Sequence, residues 1–114
     1  MAKIFEFSPL ELRPGVDEQE FIKFFAEQVA PLGARLGWKG YVLKADRGER
    51  AGKFAAIWEI PSVEQRDRFW PTPDPDQITE EGLTLLGPEF YEMFKKFDTY
   101  AMGWPWTDYI EQGE

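Results

Sequence analysis

Residues 53–60, KFAAIWEI, are apolar on both faces of an extended segment, and this restricts the fold more than any other feature of the chain. A strand with one wet face alternates polar and apolar residues. A nearly continuous apolar run belongs to a strand covered front and back. Here Phe54, Ala56, Trp58 and Ile60 share one face, and Ala55 and Ile57 share the other. Residues 3–13, KIFEFSPLELR, are also extended, with Phe5 and Phe7 on one face and Ile4, Glu6 and Ser8 on the other.

Local signals order the other elements. Pro14-Gly15 makes a turn, and Asp17 reads as a helix N-cap with Glu20 completing a capping box. Phe21, Phe25, Val29, Leu32 and Leu36 then recur at helical spacing, with Pro31 expected to kink or split the helix. Residues 38–46 read as a second strand, joined through the polar turn 47–52 to strand 53–60. Pro61 ends that strand, and Ser62 caps a short helix with Gln65 as its box partner. The segment 70–78, WPTPDPDQI, is a proline-rich surface loop, and Thr79 caps a further turn through Leu86. Pro88 opens a last helix striped with Phe90, Met93, Phe94 and Phe97. Residues 98–109 read as a final strand, confined to a sheet edge by Pro105.

The order β-α-β-β-α-β spans residues 1–114 as one α+β domain. It is the ferredoxin-like unit, a four-stranded antiparallel sheet with helices on one face. Helices cover one face only, yet both are apolar. The second face is expected to meet a symmetric copy, giving a homodimer. The alternative is that the insert 70–87 folds over it. Trp104, Trp106 and Tyr109 crowd the final strand and are assigned to the dimer contact, a pocket wall being their other reading.

Composition removes whole classes of chemistry. A net charge of −8 opposes binding to phosphate backbones and to anionic membranes. The chain has no Cys, His or Asn, so thiolate and imidazole chemistry, and the metal sites built on them, are absent. The acidic residues Asp74, Asp76, Glu80 and Glu81 lack the pattern of a calcium loop, and no metal or other cofactor is expected. Abundant Glu, Lys and Arg without Asn or Cys also fits a heat-adapted protein. The first residues lack a basic-then-apolar leader pattern and no run is long enough to span a membrane, so a cytoplasmic location is expected.

Trp58 is a candidate for stacking on a planar ligand, Tyr41 and Tyr100 for phenolic contacts, and Glu6 for a buried carboxylate of raised pKa. Glu59 shares that last possibility, and Arg66 and Arg68 are candidates for an anion contact. Each also has a purely structural reading, as core, boundary or ion-paired residue.

The stretches ELRPGVDEQEF, GWKGYVLKADRG and AAIWEIPSVEQRDRF resemble the dimeric α/β-barrel superfamily, which includes antibiotic-biosynthesis-type monooxygenases and NIPSNAP-like proteins. The most specific part is W-E-x-P-S-x-E-x-x-x-x-F, starting at Trp58. The resemblance implies a homodimer whose sheets close into a barrel, and a pocket between sheet and helices in each subunit. In the monooxygenase branch a Trp at the position of Trp58 lines that pocket, often with Asn and His nearby. This chain has neither, and Phe69 and Trp70 stand where a His is frequent. The expectation is a small homodimer that binds an apolar or aromatic molecule between sheet and helices. A cofactor-independent monooxygenase or isomerase, and a structural or regulatory dimer, are the alternatives.

Overall fold

A computed structural model describes residues 2–103 and 105–113. The chain forms β1 (Ile4–Leu12), α1 (Glu18–Phe24), a π-helical turn (Phe25–Val29), α2 (Ala30–Arg35), β2 (Lys39–Lys44) and β3 (Phe54–Ile60). It continues with α3 (Val63–Phe69), a 3₁₀ turn (Pro75–Gln77), α4 (Glu80–Leu86), α5 (Glu89–Tyr100), β4 (Ala101–Gly103) and β5 (Thr107–Ile110). The sheet is antiparallel in order β2-β3-β1-β4, with β5 also pairing β1. This is the ferredoxin-like arrangement, with β1 and β3 central.

The helix starts follow the capping residues. Asp17 Oδ1 accepts from the backbone N–H of Gln19 at 2.8 Å, Ser62 Oγ from Gln65 at 3.2 Å, and Thr79 Oγ1 from Gly82 at 3.2 Å. Glu20 does not close the box at Asp17. Its carboxylate accepts from the Tyr100 hydroxyl instead. Pro31 neither splits nor sharply breaks the first helix. The turn before it widens to a π turn, and the Ala30 N–H reaches back to Phe25 O.

The final strand differs from expectation. Helix α5 runs through Tyr100, and the strand that follows is interrupted between Gly103 and Thr107. β4 pairs β1 at Leu10–Leu12, and β5 pairs it at Ile4–Phe7, leaving Ser8 and Pro9 between. Pro9 and Pro105 both fall at this interruption, and neither has an N–H to give to a ladder. The sheet therefore counts five strands where the sequence predicts four.

The helices pack on one face. Phe21, Phe24, Phe25, Val29, Leu32 and Leu36 are buried against Ile4, Leu10, Phe54, Ala56 and Ile60. The insert 70–87 lies on this same side, with Leu86 in the core, and does not fold over the second face. On that second face Tyr41, Leu43, Met102 and Tyr109 are exposed. The register sets them beside Phe5, Phe7 and Ile57. None of the described helices is long and apolar enough to cross a membrane.

Candidate functional site

One row of residues runs across the helix-covered face of the sheet. Gly40 on β2 is opposite Trp58 on β3, Trp58 is opposite Glu6 on β1, and Glu6 is opposite Asp108 on β5. Above this row the helices stand off the sheet and leave a cavity of about 920 Å³. Its walls are Phe25, Val29 and Leu32 from the first helix, Trp38, Trp70 and Leu86, and Phe90, Met93 and Phe97 of α5. The exposed lining residues Tyr91, Phe94 and Trp106, with the loop from Pro71 to Asp76, surround its mouth. Volume and lining match a small-molecule site, which is typically a largely apolar hollow of about 300–1,000 Å³ with few polar groups.

Trp58 is fixed by two absent side chains. A Cβ on Gly33 of α2 would lie 2.0 Å from Trp58 Cζ3, and one on Gly40 would lie 2.6 Å from the same atom. The indole fills the slot these glycines leave. Further rings continue from it. The Trp58 and Trp38 centroids are 6.4 Å apart, Trp38 and Trp70 5.4 Å, Trp70 and Phe90 6.4 Å, and Phe90 and Phe94 4.7 Å. This aromatic band winds from floor to mouth. It offers faces and edges to a planar ligand.

The polar groups gather at one end of the floor. Arg66 of α3 donates from Nη1 to Asp108 Oδ2 at 3.0 Å and from Nε to Asp67 Oδ1 at 3.0 Å. Asp108 Oδ1 is buried and has no hydrogen-bond partner among the described residues, and the same holds for Trp38 Nε1. Burial pushes the Glu6 carboxyl up to about 7. The charge of Asp108 adds to the rise and that of Arg66 opposes it. Glu59 is one residue from Trp58 and faces the other way. Its hydrogen bond from Lys3 Nζ, at 3.0 Å, lowers its pKa. Among the described residues no group of three or more carboxylates is placed to hold a metal ion.

The Glu6 shift makes stability depend on pH. A carboxyl raised in the folded state binds more protons there than in the unfolded chain between about pH 4.5 and 7. Its stabilising contribution is thus present at low pH and is lost as pH rises through 7. The ceiling is about 3 kcal/mol for a shift of this size. Glu6→Gln should therefore unfold at higher denaturant concentration than the wild type at pH 8, with the gap closing by pH 5. Urea titrations at the two pH values measure it, and equal gaps at both would contradict a raised Glu6.

The structure brings together Glu6, Trp58 and Trp106 and separates them from the other sequence candidates. Tyr41 sits on the opposite sheet face, 42% exposed, with its hydroxyl 3.3 Å from Glu59 Oε1. Tyr100 ends α5, stacks on Phe24 at 4.8 Å and bonds Glu20, outside the cavity lining. Neither tyrosine reaches the cavity. Trp106 borders the cavity mouth, whereas Tyr109 projects from the second sheet face. Trp104 lies outside the described residues. Asp108 was not singled out from sequence. The two-residue period after Pro105 carried the signal, since it places Trp106 and Asp108 on one side and Tyr109 on the other.

No family model and no curated protein matches the chain. Solved structures do. An uncharacterised NIPSNAP-like domain protein from Burkholderia xenovorans superposes with a TM-score of 0.60 at 16% identity, covering 98% of this chain and 85% of that one. A NIPSNAP family protein from Agrobacterium tumefaciens str. C58 gives 0.60 at 16% identity, with 98% and 93% covered. A dimeric protein of unknown function with a ferredoxin-like fold, from Bacteroides fragilis NCTC 9343, gives 0.55 at 16% identity, with 94% of each chain covered. The likeness is one of fold. It agrees with the resemblance read from the sequence, and its NIPSNAP-like side is the one found among these neighbours.

Proposed function

We propose that this chain binds an aromatic or apolar small molecule between its sheet and its helices, and that it does so as a homodimer. The aromatic-walled cavity of about 920 Å³ over Trp58 and Glu6 carries the binding reading. A core left this hollow forfeits packing energy, roughly 24 cal/mol for each Å³ of empty space in large-to-small substitutions. A bound ligand restores those contacts. The homodimer reading is supported by the uncovered face, where Tyr41, Leu43 and Met102 are exposed beside Phe5, Phe7 and Ile57. It is also supported by the dimeric state in the description of the Bacteroides protein. An isologous contact sets that apolar face against itself.

The walls contain Trp38, Trp58 and Trp70, so occupancy has an intrinsic optical signal. Titrating the protein with 2-naphthol should change tryptophan emission saturably and raise the unfolding temperature. At one hundred times the Kd, the stabilisation is about 2.7 kcal/mol. In Gly40→Val the added side chain displaces the Trp58 ring, and the affinity should fall at least tenfold. Absence of any saturable signal with 2-naphthol and similar neutral aromatics would refute the binding reading.

A further inference from the structure

The carboxyl pair at the cavity floor is more than a binding contact, and the inference drawn from it rests on the binding reading above. We propose that Glu6, positioned by Asp108 and Arg66, transfers protons to and from carbon in an apolar carbonyl compound held against Trp58. Three observations carry this. First, Glu6 and Asp108 are direct cross-strand neighbours on the cavity face. Cβ atoms in such pairs lie roughly 4.5–5.5 Å apart, within reach of one carboxyl by the other. Second, Asp108 has one oxygen on Arg66 and a buried second oxygen with no partner among the described residues. A hydroxyl on protonated Glu6 is the donor which that oxygen lacks. Third, the walls beside the pair are tryptophan, phenylalanine and aliphatic side chains. They keep water from an acidic carbon and its enolate.

The charged groups that face Glu6 are Asp108 from β5 and Arg66 from α3, with Asp67 beyond Arg66. β3 presents Trp58 and β1 presents Ser8. A carboxyl poised near neutrality is populated in both forms, as a group that first takes and then returns a proton requires. In the step itself the Glu6 carboxylate removes a proton from the carbon next to the carbonyl. The C–H electron pair becomes the C=C bond of the enolate, and the carbonyl π pair moves to oxygen. An Arg66 N–H not used by Asp67 or Asp108 donates to that oxygen. Return of the proton to the same carbon is exchange. Return to a vinylogous carbon of an unsaturated ketone is isomerisation. Atoms and electrons balance without an oxidant or reductant.

The probe is 2-tetralone, an aromatic ketone with acidic α-hydrogens. Its α-proton exchange is followed in D₂O by NMR with the full chain, and its binding by tryptophan emission. The wild type should accelerate exchange, and Glu6→Gln should lower the catalysed rate by about 100-fold or more. Asp108→Asn removes a charge that raises the Glu6 pKa, so its rate profile should move to lower pH. A structural role alone would leave that profile in place. If 2-tetralone binds but the wild type exchanges its α-protons no faster than Glu6→Gln, the proton-transfer inference is overturned and the binding reading survives. If 2-tetralone and the other aromatic probes fail to bind, both fall.

Discussion

Replacing Gly33 with alanine is expected to destabilise the protein by about 1–3 kcal/mol, the range for forcing an extra group into a packed interior. In an exposed helix the same change stabilises by up to about 1 kcal/mol, because alanine is the better helix former. The sign is therefore diagnostic. The new Cβ would sit 2.0 Å from Cζ3 and 2.7 Å from Cη2 of Trp58. The ring cannot retreat toward β2, because Gly40 already lies against its other side. It must swing into the cavity, and ligand affinity should fall with stability. Combining Gly33→Ala with Trp58→Phe removes the outer atoms that clash. The double variant should then recover most of the stability lost beyond that of Trp58→Phe alone, since contacting residues couple strongly. Urea denaturation of the four proteins measures the coupling. A Gly33→Ala protein more stable than the wild type would show that Trp58 does not occupy this slot.

Placing a carboxylate at Ile57 is expected to convert the dimer to a folded monomer. Ile57 lies on the uncovered face, flanked by Phe7 on β1 and Tyr41 on β2. Across an isologous contact the change enters twice, putting two like charges into an apolar interface. An unpaired buried charge costs several kcal/mol, and each 1.4 kcal/mol is tenfold in dissociation constant. Ile57→Glu should weaken association by about 1,000-fold or more. The residue points away from the helix-covered core, so the far-ultraviolet circular dichroism should be retained. Sedimentation at graded concentrations should give twice 13.3 kDa for the wild type and 13.3 kDa for the variant. A wild type that stays at 13.3 kDa throughout, or a variant that still dimerises, would remove the dimer from the account.

Where the sequence is informative, one local rule decides the outcome. Asp17, Ser62 and Thr79 cap their helices because an oxygen beside a free N–H is a contact within three residues. The stripe Phe21, Phe25, Val29, Leu32 and Leu36 is buried because helical spacing alone fixes its face. The cavity depends on pairing between distant strands, which no local rule supplies. On β2 the larger apolar residues Tyr41 and Leu43 face outward, and small Gly40 faces inward because the Trp58 indole lies over it. A reading by hydrophobic size therefore sends Tyr41 to the wrong side. Glu6 and Asp108 are 102 positions apart in the chain and meet through the β1–β5 register. Nothing near either residue announces the other. Tyr100 was carried out of the final strand because α5 continues to it, held on the aromatic edges of Phe21 and Phe24.

Intermolecular NOEs from bound 2-naphthol are the most direct test of where a ligand sits. The methyl groups of Val29, Leu32 and Ala56 face the hollow above Trp58, whereas those of Leu43 and Ile57 face the opposite side of the sheet. Ring protons of the naphthol should show cross-peaks to the first set and none to the second. Cross-peaks to Leu43 and Ile57 alone would place the ligand outside the sheet–helix interior and contradict the site described here.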